Sequence, residues 1–196
     1  MSSHQRQQEI WLVRHGATEW SETGRHTGRT DIPLTETGRG LAVQLREALA
    51  KRDFTLILSS PLQRATDTAR LAGFEETVGV DPNLMEWDYG IWEGRTTVDI
   101  RSSIPDWSVW TTPVPEGETL EDVGRRADAV IARCLSTSGD VLLFAHGHLL
   151  RILAARWLGL APEGGRLFAL QTAGVSVLGF ERENHVVHVW NRSVTF

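Results

Sequence analysis

The chain has 196 residues, 41% hydrophobic and 23% charged, with a formal net charge of −5. This composition builds one domain with a real core and excludes disordered and fibrous classes, while the acidic balance argues against a nucleic-acid-coating role, which needs a broad basic surface. The single cysteine, Cys134, excludes an internal disulfide and any cysteine-rich zinc site. No apolar run approaches a membrane span, and the polar residues 1–9 show no secretory signal, so the expected address is the cytoplasm.

Residues 1–8 read as a flexible N-terminus on a single domain spanning 1–196. Residues 10–14, Ile-Trp-Leu-Val-Arg, predict a buried strand that stops at His15-Gly16. Residues 16–34, rich in Gly, Thr, Arg and Asp, predict a long loop with at most short helices. Thr35 caps a helix to about residue 51, with Leu41, Leu45 and Leu49 on one face. A strand over 54–58 leads to Ser59-Ser60-Pro61, where Pro61 is expected at the first position of a helix reaching residue 72. A short strand over 77–80 precedes an irregular stretch, 81–118, with one helix near 96–103. Thr119-Leu-Glu-Asp122 is a capping box, and Leu120, Val123, Ala127, Val130, Ile131 and Cys134 follow helical spacing after it. Residues 140–145 are the clearest buried strand, and it too ends in His-Gly. A helix over 148–158 and a hairpin over 174–191, turning near Glu183-Asn184, complete the chain. The alternation predicts an α/β fold: a three-layer sandwich, its sheet mostly parallel, with helices on both faces and an antiparallel C-terminal strand.

Arg14-His15-Gly16 and His146-Gly147-His148 share one context: buried strand, histidine, glycine, then loop or helix. Ligands of open α/β sheets bind beyond the carboxyl ends of the strands, so both motifs are expected to open on one crevice. Helices starting after His146 and Ser60 aim backbone N–H groups there, which favours an anion. Arg64 falls in the first turn of the second of these helices. Two Arg and two His around helix starts suit a phosphoryl dianion, since Arg binds oxygen pairs bidentately. Other readings stand beside this one. His146 and His148 resemble a metal pair, but no Cys and no third ligand at metal spacing accompanies them. His4, His185 and His188 read as solvated or hairpin-face residues. The eight Trp read mostly as core, with Trp87 and Trp92 as candidate pocket residues. Glu86, in Glu86-Trp87-Asp88-Tyr89-Gly90, is either a loop carboxylate paired with an Arg or a carboxyl that holds a proton near neutral pH beside its aromatic neighbours.

Val13-Arg-His-Gly-Ala-Thr-Glu-Trp20, Thr27-Gly28 and Pro33-Leu-Thr-Glu-Thr-Gly38 resemble the N-terminal signature of the histidine phosphatase (phosphoglycerate mutase-like) superfamily, branch 1. Ser59–Ala69, Glu86–Gly94 and Ala145–His148 resemble its later motifs, in order. Together with Trp107, Trp110, Gly117-Glu-Thr119 and the continuation Ala145-His-Gly-His-Leu-Leu-Arg151, they look most like sedoheptulose-bisphosphatase-type sugar phosphatases. The resemblance implies a metal-independent phosphomonoesterase without cofactor, acting on a small phosphorylated metabolite. His15 is then the nucleophile that becomes phosphohistidine. Arg14, Arg64 and His146 hold the phosphoryl oxygens. Glu86 protonates the leaving oxygen and then activates water. Ser21, Thr27 and Tyr89 touch phosphate or substrate, and Gly28 and Gly147 offer backbone N–H groups. His15 attacks through a neutral nitrogen, so its other nitrogen is expected to donate to a backbone carbonyl.

The departures concern specificity. Mutases of the superfamily have Arg directly after the catalytic Glu, where this chain has Trp87. They also carry segments and a tail that close the site; this sequence stops at Phe196, which leads to the expectation of an open site that favours hydrolysis over transfer. Sugar bisphosphatases have a longer connection where this chain has only about residues 159–173. Arg25, His26, Arg29, Arg95 and Arg166 are the candidates for a second acidic group. The rival readings are a phosphoglycerate-type mutase, a non-catalytic phospho-ligand binding protein and a metal hydrolase. A homodimer is left open by the sequence.

Overall fold

The computed structural model describes residues 7–193. His4 and most of the expected flexible N-terminus therefore lie outside the described residues. Gln8 is tied down: its side-chain amide donates to the carbonyls of Cys134, Thr137 and Gly139.

Six strands form one sheet: β1 (Ile10–Arg14), β2 (Leu56–Ser59), β3 (Gly79–Val80), β4 (Val141–Ala145), β5 (Val175–Glu181) and β6 (Asn184–Arg192). Their spatial order is β3-β2-β4-β1-β5-β6. The β1–β4, β2–β4 and β2–β3 pairs are parallel, and β5 and β6 add on antiparallel. The helices are α1 (Glu19–Glu22), α2 (Glu36–Leu49), α3 (Gln63–Ala69), α4 (Thr97–Arg101), α5 (Leu120–Leu135) and α6 (Gly147–Trp157).

All five residues of β4 are buried, as a central parallel strand with helices on both faces requires. Side chains alternate across a strand, so each strand feeds two cores. Ile10, Leu12, Val141 and Leu143 pack with Val123, Ala127 and Val130 of α5 and Leu149 and Leu153 of α6. Val13, Leu142 and Phe144 point the other way, to Leu45 and Leu49 of α2 and Ala69 of α3. This is the expected three-layer sandwich.

Several boundaries differ from the sequence reading; β3, for one, covers only Gly79–Val80 of the strand expected over 77–80. β2 begins at Leu56, two residues later than expected. Pro61 is not the first helical residue: the N-cap of α3 is Leu62, and helix begins at Gln63. The Ser60 hydroxyl accepts from the Leu62 N–H and the Asp31 carboxylate from the Gln63 N–H, so partners from outside the helix set its start.

Candidate active site

Strand register alone makes His15 and His146 neighbours. Arg14 of β1 pairs with Ala145 of β4 in parallel. The next residue on each strand is histidine, and the His15 N–H still donates to the Ala145 carbonyl at 3.0 Å. The two rings lie 5.2 Å apart between centroids.

His15 Nδ1 is 2.7 Å from the carbonyl oxygen of Gly16. A carbonyl only accepts, so Nδ1 carries the proton and the lone pair sits on Nε2. Burial, followed by the charges of Arg14 and Arg64, holds the imidazole well below the usual histidine pKa, against the opposing Gly16 bond. The ring is therefore neutral and oriented, as the sequence reading required of it.

The Arg64 guanidinium is fully buried. It donates to the carbonyls of Thr27, Gly28 and Thr30, and Nε–H donates to His146 Nδ1 at 3.2 Å. That bond places the His146 proton on Nε2, which donates to Ser60 Oγ at 2.7 Å. Arg64 and His146 thus lie beneath the cleft rather than on its wall.

The cleft itself holds about 190 Å³ and is lined by Arg14, His15, Ser21, Thr27, Glu86, Tyr89 and Gly147, among others. These are the residues of the sequence reading, less Arg64, His146 and Gly28. The Gly28 N–H donates to Glu93 Oε1, and a side chain there would meet the Trp87 carbonyl at 2.4 Å. Gly28 is needed for this close approach, and its N–H is already engaged. Gly147 lies against the Arg14 guanidinium, 3.3 Å from its would-be Cβ to Cζ. Arg14 donates one Nη1 bond to the Leu170 carbonyl, and its buried Nε has no partner among the described residues. The Ser21 hydroxyl closes the capping box of α1 with Thr18.

Glu86, in an irregular segment, lines the same cleft as His15 and lays its carboxyl group against the start of α6. Its carboxylate accepts from the N–H groups of Trp87, His148 and Leu149 at 2.9–3.0 Å. The N–H groups at this helix start are therefore met by the protein's own Glu86 side chain. Only the aromatic side of this carboxyl was visible in the sequence. Trp87 and Tyr89 stack at 6.2 Å; neither Trp87 nor Trp92 lines this cleft, but Trp87 lines a separate cavity with Trp110 and Glu118. Burial, then Glu86 and Glu93, raises the Tyr89 pKa well above its usual value, so the phenol keeps its proton. No three of the described His, Cys, Asp and Glu residues gather as a metal-holding group.

The profile of the histidine phosphatase superfamily (branch 1) matches residues 10–193. The chain belongs to that family.

An acid phosphatase of Mycobacterium tuberculosis is 44% identical over 90% of this chain and 88% of its own length. The yeast Saccharomyces cerevisiae sedoheptulose 1,7-bisphosphatase is 35% identical over 78% and 68%. Among solved structures, the product of Mycobacterium tuberculosis open reading frame Rv3214 superposes with a TM-score of 0.91 at 42% identity, covering 96% of this chain and all of that one. The protein is a phosphoric monoester hydrolase of the histidine phosphatase type.

This phosphatase has two further cleft residues, within the Ala145–Arg151 motif, to which the resemblance gives no role. His148 and Arg151 lie one turn apart on α6 and face the cleft beside Gly147. Of the five candidates for a second acidic group, Arg25 and His26 line the cleft. Arg29 is bound to Glu118 and Asp88, and Arg95 stacks on Trp92 and donates to the Asp99 carbonyl. Neither Arg95 nor Arg166 lines the cleft. The motif ending at Arg151 and its helical spacing from His148 were the available signals.

Four histidines are held neutral here, which sets the response to acid. Burial lowers His15, His146 and His148 well below the usual value and His26 to about 4. Below pH 6.5 the unfolded chain binds protons that the folded chain refuses, so stability falls as pH falls toward the folded values. Each such group costs about 1.4 kcal/mol per pH unit in that window. Urea unfolding at pH 7.5, 6.5 and 5.5, in phosphate-free buffer, is expected to show a loss of at least one such increment between the last two points. A flat profile would mean that these imidazoles titrate freely in the folded protein.

Proposed function

We propose that the protein hydrolyses small phosphate monoesters, sugar phosphates or similar metabolites, through a phosphohistidine on His15. The observation that carries this reading is the Nδ1–H bond of His15 to Gly16, which leaves Nε2 as the nucleophile on the cleft wall. The Nε2 lone pair attacks phosphorus, and the bond from phosphorus to the leaving oxygen breaks. Glu86 gives that oxygen its proton. The Gly16 carbonyl offsets the positive charge that develops on the imidazole. Water then attacks phosphorus, its proton goes to Glu86, and the electron pair of the N–P bond returns to Nε2. Arg14, with its unpartnered Nε, neutralises the phosphoryl oxygens, and the Arg64–His146 pair supports this charge from below. Ser21, Thr27, Tyr89 and the Gly147 N–H complete the phosphate and substrate contacts.

The test is product analysis with 3-phosphoglycerate and sugar phosphates. Release of inorganic phosphate, unchanged in a chelator, supports the reading. Conversion to 2-phosphoglycerate instead would establish the mutase alternative.

The same cleft favours esters whose leaving alcohol carries a second anionic group. Arg151 is fixed by its Nε–H bond to the Gly165 carbonyl and by stacking 4.6 Å over Trp110. Its two Nη groups have no partner among the described residues, and Arg25 lines the rim as a second cation. Arg151→Gln is expected to raise KM for a sugar bisphosphate or 3-phosphoglycerate roughly tenfold or more, the scale of one charged hydrogen bond. The KM for p-nitrophenyl phosphate should stay within about threefold. Equal changes for both substrate types would exclude this specificity role.

A further inference from the structure

Gly117-Glu118-Thr119 stands out in the sequence, yet none of its residues is needed for the chemistry above. In the structure it precedes α5, and Glu118 meets Arg126 of the same helix. Arg126 Nε–H donates to Glu118 Oε1 at 2.7 Å and Nη2–H to Oε2 at 2.8 Å, a two-bond fork. The remaining donors reach the segment that carries Glu86: Nη1 to the carbonyls of Asn83 at 2.9 Å and Met85 at 2.8 Å, and Nη2 to the carbonyl of Glu86 itself at 3.3 Å. All five N–H groups of the guanidinium are engaged.

Glu118 grips the same segment from its other side. Its Oε2 accepts from the Asp88 N–H at 3.0 Å, its carbonyl accepts from Trp87 Nε1–H at 2.8 Å, and its N–H donates to the Asp88 carbonyl at 3.1 Å. Residues 83–88 are therefore held on both sides of Glu86. Pair and segment lie largely out of solvent, with side-chain exposures of 15% for Arg126 and 19% for Glu118. Burial opposes the Glu118 charge, but the bonds and charge of Arg126, with the Asp88 N–H and Arg29, hold its carboxyl below the usual glutamate range. It is a fixed anion that locks the fork.

We infer that Arg126, anchored by Glu118, is a positioning residue that sets the Glu86 carboxyl at the distance and angle needed to protonate the leaving oxygen. This rests on the reading of Glu86 as proton donor. The α6 amides hold the carboxylate oxygens, but the Glu86 backbone lies in an irregular segment with no regular ladder of its own. Arg126 supplies the missing backbone constraint, and only a planar five-donor group spans three carbonyls and a carboxylate together. Displacing a reacting group by about 1 Å costs on the order of 10²-fold even when the altered residue is remote.

The test is single-turnover phosphoryl transfer with an alkyl phosphate, a poor leaving group, and p-nitrophenyl phosphate, a good one. The variants are Arg126→Gln, Glu118→Gln, Glu86→Gln and the double variant Arg126→Gln/Glu86→Gln. Arg126→Gln is expected to lose on the order of 30–100-fold on the alkyl ester and less than about fivefold on the aryl ester. Vanadate inhibition should stay near that of the parent, because the phosphoryl contacts are not Arg126's. Glu118→Gln keeps size and backbone bonds while weakening the fork, so it should show the same selectivity, smaller; it also serves if Arg126→Gln folds poorly. In the Glu86→Gln background the selective loss should vanish. Equal losses on both esters, or a selective loss that survives without Glu86, would overturn the inference and leave Arg126 a purely structural residue. Glu86→Gln showing no selectivity at all would instead overturn the proton-donor reading, which Arg126→Gln alone cannot do.

Discussion

His15→Ala is expected to abolish both turnover and the covalent label. Acid is the wrong quench for a phosphohistidine, because the N–P bond is acid-labile and base-stable. Turnover stopped with alkali should leave phosphate on the parent protein and none on the variant. Removing a nucleophile that works as one unit with its acid and its charge clamp costs on the order of 10⁴–10⁶ in kcat. Asn is the second substitution of choice: it replaces the imidazole by a smaller polar group on the cleft wall and tests whether the loss follows the nucleophile or a cavity. Because His15 is held neutral by burial and by Arg14 and Arg64, its attacking form persists well below pH 6.5. Phosphoenzyme formation should accordingly show no acid limb near the usual histidine value. Near-parental turnover of His15→Ala would mean that water attacks the ester directly, and the phosphohistidine reading would fail.

Glu86→Gln is expected to have the second-largest effect, and one that depends on the leaving group. General acid help is worth roughly 10²–10⁴-fold. A sugar alkoxide cannot depart without a proton, so the full loss is expected on sugar phosphates. A nitrophenolate departs unaided, so phosphoenzyme formation from the aryl ester should lose far less. Hydrolysis of the phosphoenzyme, where Glu86 takes a proton from water, should slow for every substrate alike. The label on Glu86→Gln should therefore accumulate during aryl ester turnover. Glutamine keeps one carbonyl oxygen for the Trp87 and Leu149 N–H groups, which share Oε1 in the parent, while its NH2 faces the His148 N–H, so the fold is expected to survive at a cost of about 1–3 kcal/mol. Equal losses on alkyl and aryl esters in single-turnover work would remove Glu86 from the role of acid.

These experiments address roles; the geometry behind them divides cleanly by origin. The strand-end histidines were legible in sequence because a buried strand announces itself by a short apolar run and because strand carboxyl ends carry ligand sites in open α/β sheets. The Thr119 capping box and the face Val123, Ala127 and Val130 of α5 were legible for the same local reason. The start of α3 was not, since it depends on Asp31, 32 residues away along the chain. The same holds for Gly28. Its place beside Thr27 suggested a phosphate-binding N–H, but that N–H is engaged by Glu93, a partner 65 residues distant.

Local pattern thus determined the order of elements, the family motifs, the three-layer fold and the identity of His15 and Glu86 as candidate reacting groups. What tertiary structure decided was which donors remain available. Arg64 and Arg14 are equivalent in a motif, yet packing turns Arg64 toward three loop carbonyls and His146 and leaves Arg14 on the cleft wall. Arg151 ends a family-like motif that gives it no role, yet one helical turn from His148 it joins the wall. A guanidinium has five fixed donors wherever it stands, and the chain's path through space alone assigns them to backbone, to carboxylate or to the cleft.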